Sequence, residues 1–117
     1  MRLFMSEREW RFYVQGMLGF ADNVIAYSDG LTLEAFESTG LNYDATVCNL
    51  ELIGEAATHI PAEIREQYKT VPWRQIIATR NRLIHGYLGI DNDILWDIIQ
   101  GDIPSIIKEL QQISIKK

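Results

Sequence analysis

Cysteine is almost absent from this chain, with one residue, Cys48, among 117. A lone thiol excludes an intramolecular disulfide and suits a reducing compartment. Its place in a helical pattern predicts a small buried hydrophobe. Histidine occurs twice, at 59 and 85. Neither belongs to a Cys, His or carboxylate constellation at metal-ligand spacing, so no metal and no cofactor are expected, and His59 reads as a polar helix-end residue. No apolar run approaches a membrane span, and Met1-Arg2-Leu3-Phe4-Met5 is too short for a secretory leader. The expectation is a cytoplasmic protein that does not engage a membrane. No segment alternates convincingly with period two, which removes the sheet classes. Positive charge is also short: 11 Lys and Arg face 16 Asp and Glu, for a net −5. That balance argues against a general nucleic-acid binder.

Hydrophobic residues make up 47% of the chain and charged residues 23%, the composition of a globular protein. The length suits one domain, 1–117, with no repeat, low-complexity tract or interdomain linker. Ser6 and Glu9 form an S-x-x-E capping box that opens a first helix running to about Tyr27. Trp10, Tyr13, Val14, Met17, Leu18, Ala21, Val24 and Ile25 follow the helical period. A thinner stripe of Phe12, Gly16, Gly19, Phe20 and Tyr27 occupies the other side. A short helix over about 32–38 precedes the Thr39-Gly40 break. The next helix, about 42–60, is again apolar on two sides, with Tyr43, Val47, Leu50, Ile53, Ala57 and Ile60 on one and Ala45, Cys48, Leu52 and Ala56 on the other. Two apolar faces predict burial between layers, and in so small a domain the second layer is expected to be another subunit. Pro61 starts a short helix through Tyr68. The last helix carries the longest apolar stripe, from Ile94 to Ile113, and Gly101 with Pro104 predicts a kink in it. The fold class is all-α, an antiparallel bundle of four or five helices, homodimeric.

One stretch concentrates chemistry: Arg80-Asn81-Arg82-Leu83-Ile84-His85-Gly86-Tyr87. It ends a helix expected to start at Pro72, a residue suited to the first helical position. Trp73, Ile76, Ile77, Leu83, Ile84 and Tyr87 share its apolar face, and Arg80 projects from the middle of that face. A guanidinium there stays charged and needs partners; Glu55, near the seam between the two stripes of the preceding helix, is a candidate. Asn81, Arg82 and His85 lie together on the flank. Arg65, Lys69, Arg74, Arg80 and Arg82 are five of the 11 basic residues, so a local basic patch is expected beside the stretch. On an ideal helix Arg80 and His85 point about 140° apart. They face one cleft if the last turn unwinds at Gly86 or if the cleft is shared between subunits.

Arg, four residues, His, one residue, Tyr: this pattern resembles the R-x(4–6)-H-x-Y signature of the HEPN ribonucleases, in particular the HepT-like toxins. The resemblance covers nearly the whole chain through Leu52-Ile53-Gly54-Glu55-Ala56-Ala57, Val71-Pro72-Trp73, the signature and Leu95-Trp96-Asp97-Ile98-Ile99. The chain departs from it at Gly86, where many relatives carry an acidic residue. The resemblance implies a homodimer with its site at the interface. It also implies an endoribonuclease toxin acting on tRNA or mRNA. The implied partner is a minimal nucleotidyltransferase antitoxin that attaches AMP to the motif tyrosine, here Tyr87.

The residues themselves suit RNA cleavage without metal, because RNA carries its own nucleophile, the 2′-OH. Histidine, with a reference pKa of about 6.5, suits the proton transfers. Arginine suits the phosphorane, since its planar fork donates to two oxygens and stays charged. His85 is the expected base or acid and Arg80 the expected transition-state stabiliser. Asn81, Arg82, Tyr87 and Arg74 are the supporting or RNA-binding residues. Two other readings stay open: a noncatalytic binding module partnering a nucleotidyltransferase, and a helical dimerisation adaptor.

Overall fold

The computed structural model describes residues 5–86 and 89–115. Among the described residues seven α-helices follow one another: α1 (Glu7–Ser28), α2 (Leu33–Ser38), α3 (Leu41–Thr58), α4 (Ala62–Gln67), α5 (Trp73–Ile84), α6 (Asn92–Asp97) and α7 (Ile103–Ile115). A π-helical segment, Ile98–Asp102, joins the last two, and no strand occurs among the described residues. The all-α bundle expected from the sequence is the observed architecture.

Local chemistry sets the boundaries. The Ser6 hydroxyl accepts from the Glu9 amide and the Glu9 carboxylate accepts from the Ser6 amide, so two otherwise unpaired donors of the first turn are satisfied reciprocally. Gly30, at φ 73°, takes the left-handed turn after α1 that other residues resist. The expected interruption near Gly101 and Pro104 is realised as the π segment. Pro104 has no amide to offer the preceding turn, and the Ile103 amide reaches back five residues to the Ile98 carbonyl. A single wide turn absorbs the missing donor.

α3 is the central element. It packs on both α1 and α5, and α7 packs on α1. The shared core contains Val14, Met17, Ala21 and Val24 from α1, Leu50, Ile53 and Ala57 from α3, Ile76 from α5, and Ile103, Leu110 and Ile113 from α7. Phe36 seats α2 against Tyr43 and Trp96, with ring centroids 5.4 and 5.2 Å away. Arg11 ties α1 to α7 by donating to the Ile113 carbonyl at 2.8 Å.

Cys48 is exposed rather than buried. Two residues of helical rotation place it ~160° around α3 from Leu50, away from both neighbouring helices. Leu52 lies on that outer side too, 39% exposed, and Phe12 of the second α1 stripe is 73% exposed.

Candidate functional site

α5 carries the Arg80–His85 stretch, and its start is pinned by tryptophan. The buried Trp73 donates its indole N–H to the Tyr68 carbonyl at 3.1 Å. Pro72, expected as the first helical residue, instead occupies the capping position at φ −80°, ψ 67°, with the helix beginning at Trp73. Ile76, buried one turn on, turns the same face toward α3. Arg80, a further turn along, leaves the core at the α3–α5 seam.

Its aliphatic stem lies on Gly54. A Cβ built on that glycine would meet the Arg80 Cβ at 2.1 Å and Cγ at 2.7 Å. Arg80 is thus seated against a backbone surface that any side chain at 54 would fill. Beyond the seat, Nη2 donates to Glu55 Oε2 at 2.6 Å and Nη1 donates to Asn81 Oδ1 at 2.8 Å. The Arg80 Nε is buried and has no hydrogen-bond partner among the described residues. Each Nη nitrogen carries two N–H groups, so after these bonds one N–H on each remains. A held guanidinium with two donors to spare is suited to an anion with paired oxygens. The pairing with Glu55 is the one expected from the sequence.

His85 caps the end of α5. Its amide donates to the Asn81 and Leu83 carbonyls, and its backbone, at φ −96°, ψ 20°, has left the helical range. The helix therefore ends at Ile84, two residues before Gly86, and the His85 side chain sits on the exposed terminal turn. Among the described residues, no group of three or more His, Cys, Asp and Glu is placed to hold a metal ion.

Comparison with known proteins decides the family. The family described as ribonuclease HepT-like matches residues 17–113. The chain belongs to the HepT-like ribonuclease family. "Putative RNase MJ1380" of Methanocaldococcus jannaschii is 36% identical over 92% of this chain and 98% of its own length. "Putative RNase TTE0752" of Caldanaerobacter subterraneus subsp. tengcongensis is 35% identical over 92% and 96%. "Probable ribonuclease HepT" of Thermococcus cleftensis is 29% identical over 86% and 91%. No solved structure matches the chain.

In this HepT-like chain the basic residues between 65 and 82 do not converge on Arg80. Arg65 turns away to donate to the Ile60 and Thr58 carbonyls at 2.9 and 3.2 Å, closing the end of α3. Lys69 lies 4.0 Å from Glu66. Arg74 is exposed at the opposite end of α5, about 9 Å along the axis from Arg80. Arg82 is exposed beside Asn81. Tyr87 lies outside the described residues.

Two residues outside the stretch reach the site. The other oxygen of Glu55, Oε1, lies 3.6 Å from His59 Nε2. The His59 ring is stacked on Tyr13 of α1, with centroids 4.6 Å apart and planes within 7°. The i, i+4 spacing of Glu55 and His59 was the available signal for half of this contact. Nothing in the sequence signals the stack on Tyr13.

Proposed function

We propose that this chain is a metal-independent endoribonuclease, the toxin of a toxin–antitoxin pair, working as a homodimer. The observation that carries the reading is the held Arg80 fork, with donors to spare, on the helix that His85 terminates, in a member of a ribonuclease family. His85 of one subunit takes the proton from a ribose 2′-OH, and the freed oxygen attacks the adjacent phosphorus. The bond from phosphorus to the 5′-oxygen breaks, and that oxygen receives a proton from the second histidine, His85 of the partner subunit. The products are a 2′,3′-cyclic phosphate and a 5′-hydroxyl. Charge gathers on the non-bridging oxygens along the way, where the Arg80 donors stabilise it. Asn81 supports the fork, while Arg82 and Arg74 hold flanking phosphates.

Control belongs to the same reading. A nucleotidyltransferase antitoxin attaches AMP to Tyr87, seven residues beyond Arg80 in the chain. The added phosphate competes with the scissile phosphate for the Arg80 cation.

The test is cleavage of total RNA by the purified protein in EDTA, with end-group analysis. Cyclic phosphate ends are expected, and Arg80→Ala and His85→Ala are each expected to abolish cleavage with far-UV helicity unchanged. A requirement for Mg²⁺, equal cleavage of DNA, or full activity in His85→Ala overturns the mechanism.

A further inference from the structure

We infer that His59 is a positioning residue for Arg80, acting through Glu55 and held in place by Tyr13. The catalytic consequence rests on the ribonuclease reading above; the positioning itself does not.

The constraints on the Arg80 fork are few. Gly54 seats the stem, but the buried Nε has no hydrogen-bond partner among the described residues to fix the guanidinium from behind. The plane of the fork is left to its two acceptors, Asn81 and Glu55. Asn81 is the adjacent residue on the same exposed turn. Glu55 is the acceptor that reaches across from α3, and its own carboxylate is 49% exposed. An exposed carboxylate anchored by one oxygen rotates freely. Here the second oxygen faces the His59 Nε2 at 3.6 Å, so the group is bracketed between an imidazole and a guanidinium.

His59 is itself restrained. Its backbone amide closes α3 onto the Ala56 and Ala57 carbonyls, and that duty does not involve the imidazole. The ring lies flat on Tyr13, and Tyr13 is packed edge-on against Phe12 at 5.8 Å. The order of contacts is Tyr13, His59, Glu55, Arg80, running from α1 across α3 to α5. Closing the end of α3 needs the backbone of His59 alone, whereas the stack on Tyr13 fixes the plane of its ring. The direction of the imidazole toward Glu55 points to positioning.

The experiment reads the fork directly. Guanidinium ¹⁵N–¹H signals of Arg80 are recorded in the full chain for wild type, His59→Ala and His59→Gln. Resolved Nη signals are expected in wild type, and averaged signals in His59→Ala, because Glu55 then swings. His59→Gln, which restores an N–H donor facing Glu55, is expected to recover the resolved pattern. Tyr13→Leu leaves His59 in place but unsupported, and is expected to broaden the signals. Unchanged Arg80 signals in both His59→Ala and Tyr13→Leu overturn the inference. In RNA cleavage, His59→Ala is expected to lower kcat about two- to five-fold with little change in KM, the scale of a single exposed side-chain contact. His59→Gln is expected to restore it, and a loss that Gln does not restore overturns the positioning role. A wild-type chain that cleaves no RNA defeats the ribonuclease reading, and the Arg80 signals still decide the positioning.

Discussion

Gly54 and Arg80 share one contact surface: the position a Cβ would take on Gly54 is 2.1 Å from the Arg80 Cβ and 3.2 Å from the Ile76 carbonyl oxygen. A tight contact between α3 and α5 therefore coincides with the residue that carries the cation. Two effects oppose each other in Gly54→Ala. Alanine gains about 1 kcal/mol of helix propensity over glycine. Overpacking costs about 1–3 kcal/mol, and here a Cβ cannot rotate out of the way, so the helices must part. We expect net destabilisation, read as a lower denaturation midpoint. Cleavage is expected to fall about a hundred-fold, since the fork shifts by the order of 1 Å. A stabilised, fully active Gly54→Ala would show that Arg80 does not depend on this seat.

Much of this geometry is legible in the residue order, for physical reasons. The α1 start is written in Ser6 and Glu9 because a capping box is a local hydrogen-bond exchange. The break at 98–102 is written in Gly101 and Pro104 because a missing amide is a local property. The Arg80–Glu55 pair spans 25 residues, yet it was foreseeable because a cation on an apolar face needs a counter-charge, and Glu55 stood at the seam. Contacts that depend on how two helices meet were not legible. Tyr13 and His59 each fit a bland reading, and only the α1–α3 packing stacks them. The exposure of Cys48 and the seat at Gly54 likewise follow from which face of α3 its neighbours cover. The basic patch failed because Arg65 and Lys69 find nearer partners than the site.

Lysine is not expected to replace Arg80. The fork reaches Glu55 and Asn81 from two different nitrogens, whereas an ammonium is one point charge on a flexible stem. With the pair at 28% and 49% exposure, the stability cost of Arg80→Lys is expected to be small, about 0–1 kcal/mol. The cost to kcat is expected to be large, about 10²-fold or more, on the scale of losing a donor to a developing oxyanion. Chemical denaturation and single-turnover cleavage on the same variant check both halves. Equal losses in stability and activity would make Arg80 a fold residue.

Alkaline pH is expected to loosen the α2–α3–α6 corner. Tyr43 donates its hydroxyl to Asn92, whose amide donates to Glu37 at 2.9 Å. Burial raises the Tyr43 phenol above its ordinary value of 10.0, and the nearby negative charges of Glu37 and Asp44 push in the same direction. A phenol with a raised pKa in the fold is neutral there while the unfolded chain begins to ionise. Its stabilising contribution is whole below pH 10 and is lost as pH rises through the higher folded value. Denaturation midpoints measured from pH 8 to pH 11 are expected to fall in the upper part of that range, and less steeply in Tyr43→Phe. Parallel curves for the two proteins would remove Tyr43 from the account.

The homodimer is the prediction on which the shared-site mechanism stands. Each subunit has one histidine in the signature, whereas cleavage through the 2′-OH needs both a base and an acid. The outer faces of α1 and α3 leave Phe12 at 73% and Leu52 at 39% exposure. Fully burying a large exposed apolar side chain such as Phe12 is worth about 1.5–3 kcal/mol, so these outer faces have reason to be covered. Light scattering at micromolar concentration is expected to give twice the chain mass. Phe12→Asp with Leu52→Asp is expected to give monomers of unchanged helicity that no longer cleave RNA. Mixing wild-type with His85→Ala subunits separates the arrangements further. If one site needs His85 from both subunits as base and acid, the hybrid has a single histidine and is expected to be inactive. If each subunit carries a complete site on a single histidine, the hybrid keeps the activity of its wild-type subunit. A monomeric mass in wild type would end the dimer and the two-histidine mechanism together.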